Sequence, residues 1–208
     1  NGVTSVEIGV PAGKTIEKAP AYPQTHAKPI VFYGTSITHG ACATRPGMVH
    51  TAILSRKYGR PIINLGFSGN GRMEPEVTAL LAELDASVYV IDCCPNLTGP
   101  ETAERTKPLV QQLRQARPNV PIVLVEDRVY TDAWLITSKK ARNDGNHAAL
   151  KKSFDDLIAA GTKDLYYIPG SDLLGDDNEG AVDSSHPNDL GFVRQADAFD
   201  KVLGKLMR

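Results

Sequence analysis

The stretch VFYGTSITHG, Val31–Gly40, passes without a break from apolar residues into Gly34-Thr35-Ser36. With Ile30, its first residues make a run too short for a helix and rich in the β-branched and aromatic residues of a buried strand. A glycine and two hydroxyl residues then mark the place where strand gives way to helix. Ser36 has two readings at such a place. It caps the helix, as most serines there do, or it is a nucleophile set on a strand end. The choice depends on what else gathers at the same edge of the sheet.

Similar runs recur along the chain: PIINLG, SVYVIDCC, PIVLVED and LYYIPG. Between them lie helical spacings. Val77, Leu80, Leu81 and Leu84 follow Pro75, which suits a first turn. Leu109, Leu113 and Ala116 form a second set, and Leu150, Phe154, Leu157 and Ile158 a third, which Gly161 stops. Phe192, Ala196, Phe199, Leu203 and Leu206 form the last. A further helix is read over Met48–Tyr58. Five strands alternating with helices predict an α/β fold: a three-layer α/β/α sandwich around a flavodoxin-like, five-stranded parallel sheet of order 2-1-3-4-5. Residues 1–28 read differently. VEIGV alternates and predicts a strand, and the proline-rich PAGKTIEKAPAYPQTHAKP reads as a linker.

The 208 residues suffice for one domain with a core, and 41% hydrophobic with 23% charged residues is globular composition. A net charge of −1 gives no argument for nucleic acid or an anionic membrane. No apolar run approaches a membrane span. The chain opens on Asn1 with no signal-peptide pattern, which reads as a processed or trimmed piece and leaves the compartment unread. Three cysteines, Cys42, Cys93 and Cys94, lack zinc spacing. Idle thiols are expected of them, since a Cys93–Cys94 disulfide is geometrically disfavoured.

In parallel sheets of this kind, sites form beyond the carboxyl ends of the strands. There the sequence places Ser36 after the first strand and GFSGNGR, with Gly69, after the second. Asn96 follows the third, and DSSHPND, with Asp183, His186 and Asn188, follows the fifth. The set fits hydrolysis through an acyl-enzyme. A serine hydroxyl is a poor nucleophile until a base takes its proton. A histidine, with an unperturbed pKa near neutrality, is such a base. His186 has Asp183 within one turn to orient it. The oxyanion needs donors already in place: the Ser36 N–H at a helix start, the Gly69 N–H and the Asn96 amide. Each residue also has a plainer reading. Gly69 serves a turn, Asn96 caps a helix beginning near Glu101, and His186 is a surface histidine. Asp183 with His186 is half a metal site, but nothing else has matching ligand spacing, so no metal is expected. GFSGNG lacks the order of a dinucleotide fingerprint, and no cofactor is expected. His39 and His50 read as structural or surface residues.

Gly34-Thr35-Ser36, NLGFSGNG, CCPNL and DSSHPND stand in the order and spacing of four blocks of the SGNH (GDSL-type) hydrolases, which this chain resembles from Ile30 to about Met207. The resemblance implies Ser36 as nucleophile, Asp183 and His186 as its triad partners, and Ser36, Gly69 and Asn96 as the oxyanion hole. It implies the same three-layer fold for residues 29–208. Two positions depart from the pattern. Thr35 replaces the acid of the first block, and Asn96 lacks its usual flanking Gly and Asp. GTSITHG with NLGFSGNGRMEPEV is similar to a bacterial subgroup carrying an N-terminal β-sandwich module, of which residues 1–28 would be the end and linker. The resemblance also implies an extracytoplasmic place and a small-molecule or glycan ester as partner, with small acyl groups such as acetyl removed from carbohydrate. A broad aryl or acyl esterase, thioesterase or lysophospholipase, an acyltransferase, and a silent glycan-binding module are the rival readings. Thr35, Arg45 and Arg72 are candidate substrate contacts; for the two arginines the alternative is pairing with an acid. EDRVYTDAWLITSKKARNDGNH reads as a long lid or binding loop. Its Tyr130 and Trp134 offer stacking faces to a sugar, unless Trp134 covers the core or a subunit contact.

Overall fold

Each of the five apolar runs forms a parallel strand, because both faces of each run have helices to bury against. The structure, a computed structural model, describes residues 4–207. Strands β1 (Ile30–Gly34), β2 (Ile62–Gly66), β3 (Val88–Asp92), β4 (Ile122–Val125) and β5 (Leu165–Ile168) pair in the order β2-β1-β3-β4-β5, as expected. On one face Ile30, Phe32, Val88, Val90 and Val123 pack with Leu54, Phe199 and Leu203. These last come from α2 (His50–Tyr58) and α6 (Asp189–Leu206). On the other face Val31, Tyr33, Tyr89, Ile91 and Leu124 meet Leu81, Leu109, Leu113, Leu150 and Leu157. Those belong to α3 (Pro75–Glu83), α4 (Gly99–Ala116) and α5 (Thr137–Ala159). Gly34 stands in register with Gly66 on one side and Asp92 on the other. The loops leaving β1, β2 and β3 therefore start level with one another.

Several local expectations are corrected. Val6–Val10 forms no strand: residues 4–10 have no regular secondary structure and Val6 and Ile8 are exposed. An alternating run gains nothing as a strand without a partner edge to complete its hydrogen bonds. Leu80, Ala116 and Ile158 turn outward although they fit the helical spacing. The segment read as a long lid is mostly helix, since α5 begins at Thr137 and leaves only residues 126–136 as connection. Helix α4 starts at Gly99 behind Thr98, whose N–H donates to Glu101 at 2.8 Å, so Asn96 is not its cap. Cys93 and Cys94 are free, and burial pushes both thiols well up. Among the described residues, no helix is long and apolar enough to cross a membrane.

The core beneath α2 holds an unusual residue. His50 is fully buried, stacked on Phe199 and Phe192 at 5.1 and 5.9 Å with the edge of Phe32 at 5.6 Å. Neither ring nitrogen has a hydrogen-bond partner, and burial pushes its pKa down to about 3. The unfolded chain binds this proton near pH 6.5, so His50 subtracts stability as pH falls below that value and stops doing so near pH 3. Between pH 7 and pH 5 the loss is about 2 kcal/mol. His50→Leu will therefore gain about that much over the parent on the same change, read from urea midpoints at the two pH values. A stability difference that does not vary with pH would refute this.

Candidate active site

The edge where β1, β2, β3 and β5 end brings together Ser36, Gly69, Asn96, Asp183 and His186. β1 closes on Gly34, where a Cβ would lie 2.0 Å from Thr38 Oγ1. Only glycine lets the chain fold back so tightly there. Thr35, not Ser36, is the cap: its Oγ1 accepts from Ile37 N at 3.2 Å. Ser36 is instead the first residue of the single-turn helix α1 (Ser36–His39), where a backbone N–H has no intrahelical partner. So short a helix carries little macrodipole, and what it supplies is a fixed N–H direction.

Ser36 Oγ lies 2.9 Å from His186 Nε2, and His186 Nδ1 lies 2.7 Å from Asp183 Oδ2. The other Asp183 oxygen accepts from the N–H groups of Ser185 at 3.0 Å and His186 at 2.6 Å. Burial pushes the Asp183 carboxyl up, but these hydrogen bonds and the His186 ring beside it hold it down at about 2. An ionised carboxylate only accepts, so Nδ1 carries the ring proton and Nε2 is left to accept from Ser36. Ser184, at φ 68°, makes the sharp turn that aims both ends of this short segment at each other.

The second loop reaches the same place. Phe67 N donates to Gly34 O at 3.0 Å, and Gly69 takes the left-handed φ of 70°. Asn96 ends a 3-10 turn after β3 and donates its amide to Asn70 O and, at 3.5 Å, to Phe67 O. This bridge to the Gly69 loop orients Asn96 without the usual flanking Gly and Asp. Behind the loops Asp92 accepts from Thr38 Oγ1 at 3.0 Å, and burial pushes its carboxyl up to about 7.

Ser36, Gly69, Asn96 and His186 line one cavity of about 290 Å³, together with Arg128 and Tyr130. The other candidates lie elsewhere. Thr35 is fully buried, its hydroxyl occupied by the cap, so it is not a substrate contact. Arg45 lines a separate groove of about 610 Å³ against α2 and donates to Thr44 Oγ1. Arg72 pairs with Glu101. Trp134 is 76% exposed, lines no part of the cavity and does not cover the core. Arg128 and Ser185 were not anticipated. Their signal was present: Asp127 and Arg128 follow the fourth strand just as the other site residues follow theirs. Among the described residues, no group of three or more His, Cys, Asp or Glu could hold a metal ion.

No curated protein matches the chain. A Bacteroides ovatus protein described as a GDSL-like lipase superposes with a TM-score of 0.83 at 39% identity, covering 86% of this chain and 53% of its own. A salicylyl-acyltransferase from a tetracycline biosynthetic pathway has a TM-score of 0.76 at 23% identity, covering 94% and 58%. The chain thus spans little more than half the length of either. A Clostridium thermocellum family two carbohydrate esterase, solved with cellohexaose, shares the fold at 17% identity and a TM-score of 0.68, covering 91% and 67%. The model of the GDSL-like lipase/acylhydrolase family matches residues 27–204, and with the Bacteroides ovatus likeness it shows that this chain belongs to that family.

Proposed function

We propose that the chain is a serine ester hydrolase that removes small acyl groups, acetyl foremost, from a carbohydrate. The observation that carries this reading is the unbroken hydrogen-bonded line from Ser36 through His186 to Asp183, opening on a small cavity. On this reading His186 Nε2 takes the Ser36 proton as Oγ attacks the ester carbonyl. The oxyanion is held by the N–H groups of Ser36 and Gly69 and by the Asn96 amide, whose hydrogen toward Phe67 O is only loosely engaged at 3.5 Å. The imidazolium then protonates the leaving alkoxide, and an acyl-Ser36 remains. Water, deprotonated by His186, attacks that ester; the carboxylic acid departs and Ser36 recovers its proton.

One observation supports a short acyl group and another a glycan as its carrier. The cavity of about 290 Å³ lies at the small end for ligand sites, and most of the residues lining it are polar. The fold is shared with the carbohydrate esterase described above, which supports a glycan as the alcohol part. The test compares kcat/KM on an acetylated oligosaccharide with that on aryl esters from acetyl to octanoyl. Turnover is expected to be highest for acetyl and to fall with chain length. Turnover that rises with length overturns the acetyl assignment. Failure of a fluorophosphonate to label Ser36 in the folded protein overturns the hydrolase itself.

A further inference from the structure

The segment carrying His186 is gripped from outside the triad, and the grip centres on a buried charge. Arg128, the third residue past β4, is 2% exposed and pairs with the fully buried Asp127. Its Nε donates to Ser185 O at 3.2 Å and its Nη2 to Ser185 Oγ. Its guanidinium stacks 3.9 Å from the centre of the Tyr130 ring. Ser185 lies between the two ends of the Asp183–His186 contact, and its own N–H is one of the donors to Asp183. On the far side Asn143, from α5, donates to Asp127 Oδ2 at 3.4 Å and Arg128 O at 2.9 Å and accepts from Tyr130 N at 3.0 Å. The arginine is thus fixed at both ends.

A buried ion pair is weak support for a fold, since apolar residues of similar volume often serve as well. What this pair supplies is direction. A guanidinium is a rigid planar fork that holds two acceptors in a fixed geometry, whereas the three donors of an ammonium rotate. Here both acceptors belong to the residue next to His186, in the wall of the cavity on which Ser36 opens.

We propose that Arg128, anchored by Asp127, is a positioning residue of this site: by fixing Ser185 it sets where His186 stands relative to Ser36. The proposal rests on the reading of Ser36 and His186 given above. It goes beyond it in assigning the β4–α5 connection the task of assembling the base. A displacement of about 1 Å in a catalytic group costs on the order of 10²-fold in rate.

The experiment compares the parent with Arg128→Lys, Arg128→Ala and Ser185→Ala on a short-chain ester, alongside fluorophosphonate labelling. Labelling of the parent at Ser36 comes first, since its absence refutes the underlying reading and not this one. With the parent labelled, Arg128→Lys is expected to lose roughly 10- to 100-fold in kcat with KM changed less than about threefold. Its labelling rate falls by the same factor. The downfield Nδ1 proton resonance of His186, the signature of its contact with Asp183, broadens or disappears. Added ethylguanidinium restores part of the lost rate to Arg128→Ala. If Arg128→Ala does not fold, Ser185→Ala carries the test, with a smaller loss of the same kind. Undiminished kcat and labelling overturn the proposal. So does a KM that rises while kcat stays level, which would make Arg128 a substrate contact.

Discussion

Replacing Ser36 with alanine will lower kcat/KM by about 10⁴-fold or more and abolish fluorophosphonate labelling, while leaving the fold and KM close to the parent's. The change removes only a hydroxyl. Ser36 is partly exposed, and α1 takes its cap from Thr35, so the loss in stability stays within about 0.5 kcal/mol. The residues proposed for the oxyanion remain, and a residual rate above water is expected from them. Ser36 and His186 act as one unit in the proposed mechanism, so Ser36→Ala with His186→Ala will be no worse than either alone. A single variant keeping a tenth of the parent's activity, or a double variant whose losses multiply, would refute the mechanism.

How much of this was legible in the sequence depends on where the signal resides. The strands were legible because burial on both faces leaves runs such as Ile30–Tyr33 apolar throughout. Once the sheet order is set, topology carries Ser36, Gly69 and Asn96 to one edge, and the long connection from β5 to α6 brings Asp183 and His186 to it. What escaped was decided by partners the sequence does not announce. Val6–Val10 alternates correctly yet pairs with no strand among the described residues. The first turns of α5 lack apolar spacing because their inward face is amide: Asn143 bonds Arg128 O, and Asn146 bonds Cys94 O and Leu97 O. Trp134 reads either as a stacking face or as cover for the core or a subunit contact, and it stands outward while its neighbour Ala133 turns in. Arg128 escaped for the opposite reason. Its place after the fourth strand marks the edge it joins, but a charged residue in a loop reads as solvated, and the positions of Asp127 and Ser185 show that it is enclosed.

Asp183→Asn will lower kcat by roughly 10³- to 10⁴-fold, with little change in KM. Asparagine fits the space, and its oxygen still accepts from the N–H groups of Ser185 and His186. Its amide nitrogen then faces His186 Nδ1. Two donors cannot meet, so the ring proton moves to Nε2, the atom that must accept from Ser36. The geometry survives and the base does not. The lower end of the range is expected because the Asp183 side chain is 52% exposed, and water can partly support the imidazolium that forms. The pH dependence separates this account from a loss of fold. Hydrogen bonds hold the Asp183 carboxyl at about 2, below its ordinary value. The stability it contributes is therefore full above about pH 4 and is lost only as pH falls toward 2. Any decline of the parent's rate between pH 8 and pH 5 consequently belongs to another group. A variant within tenfold of the parent at pH 7 would show that Asp183 does not set the tautomer.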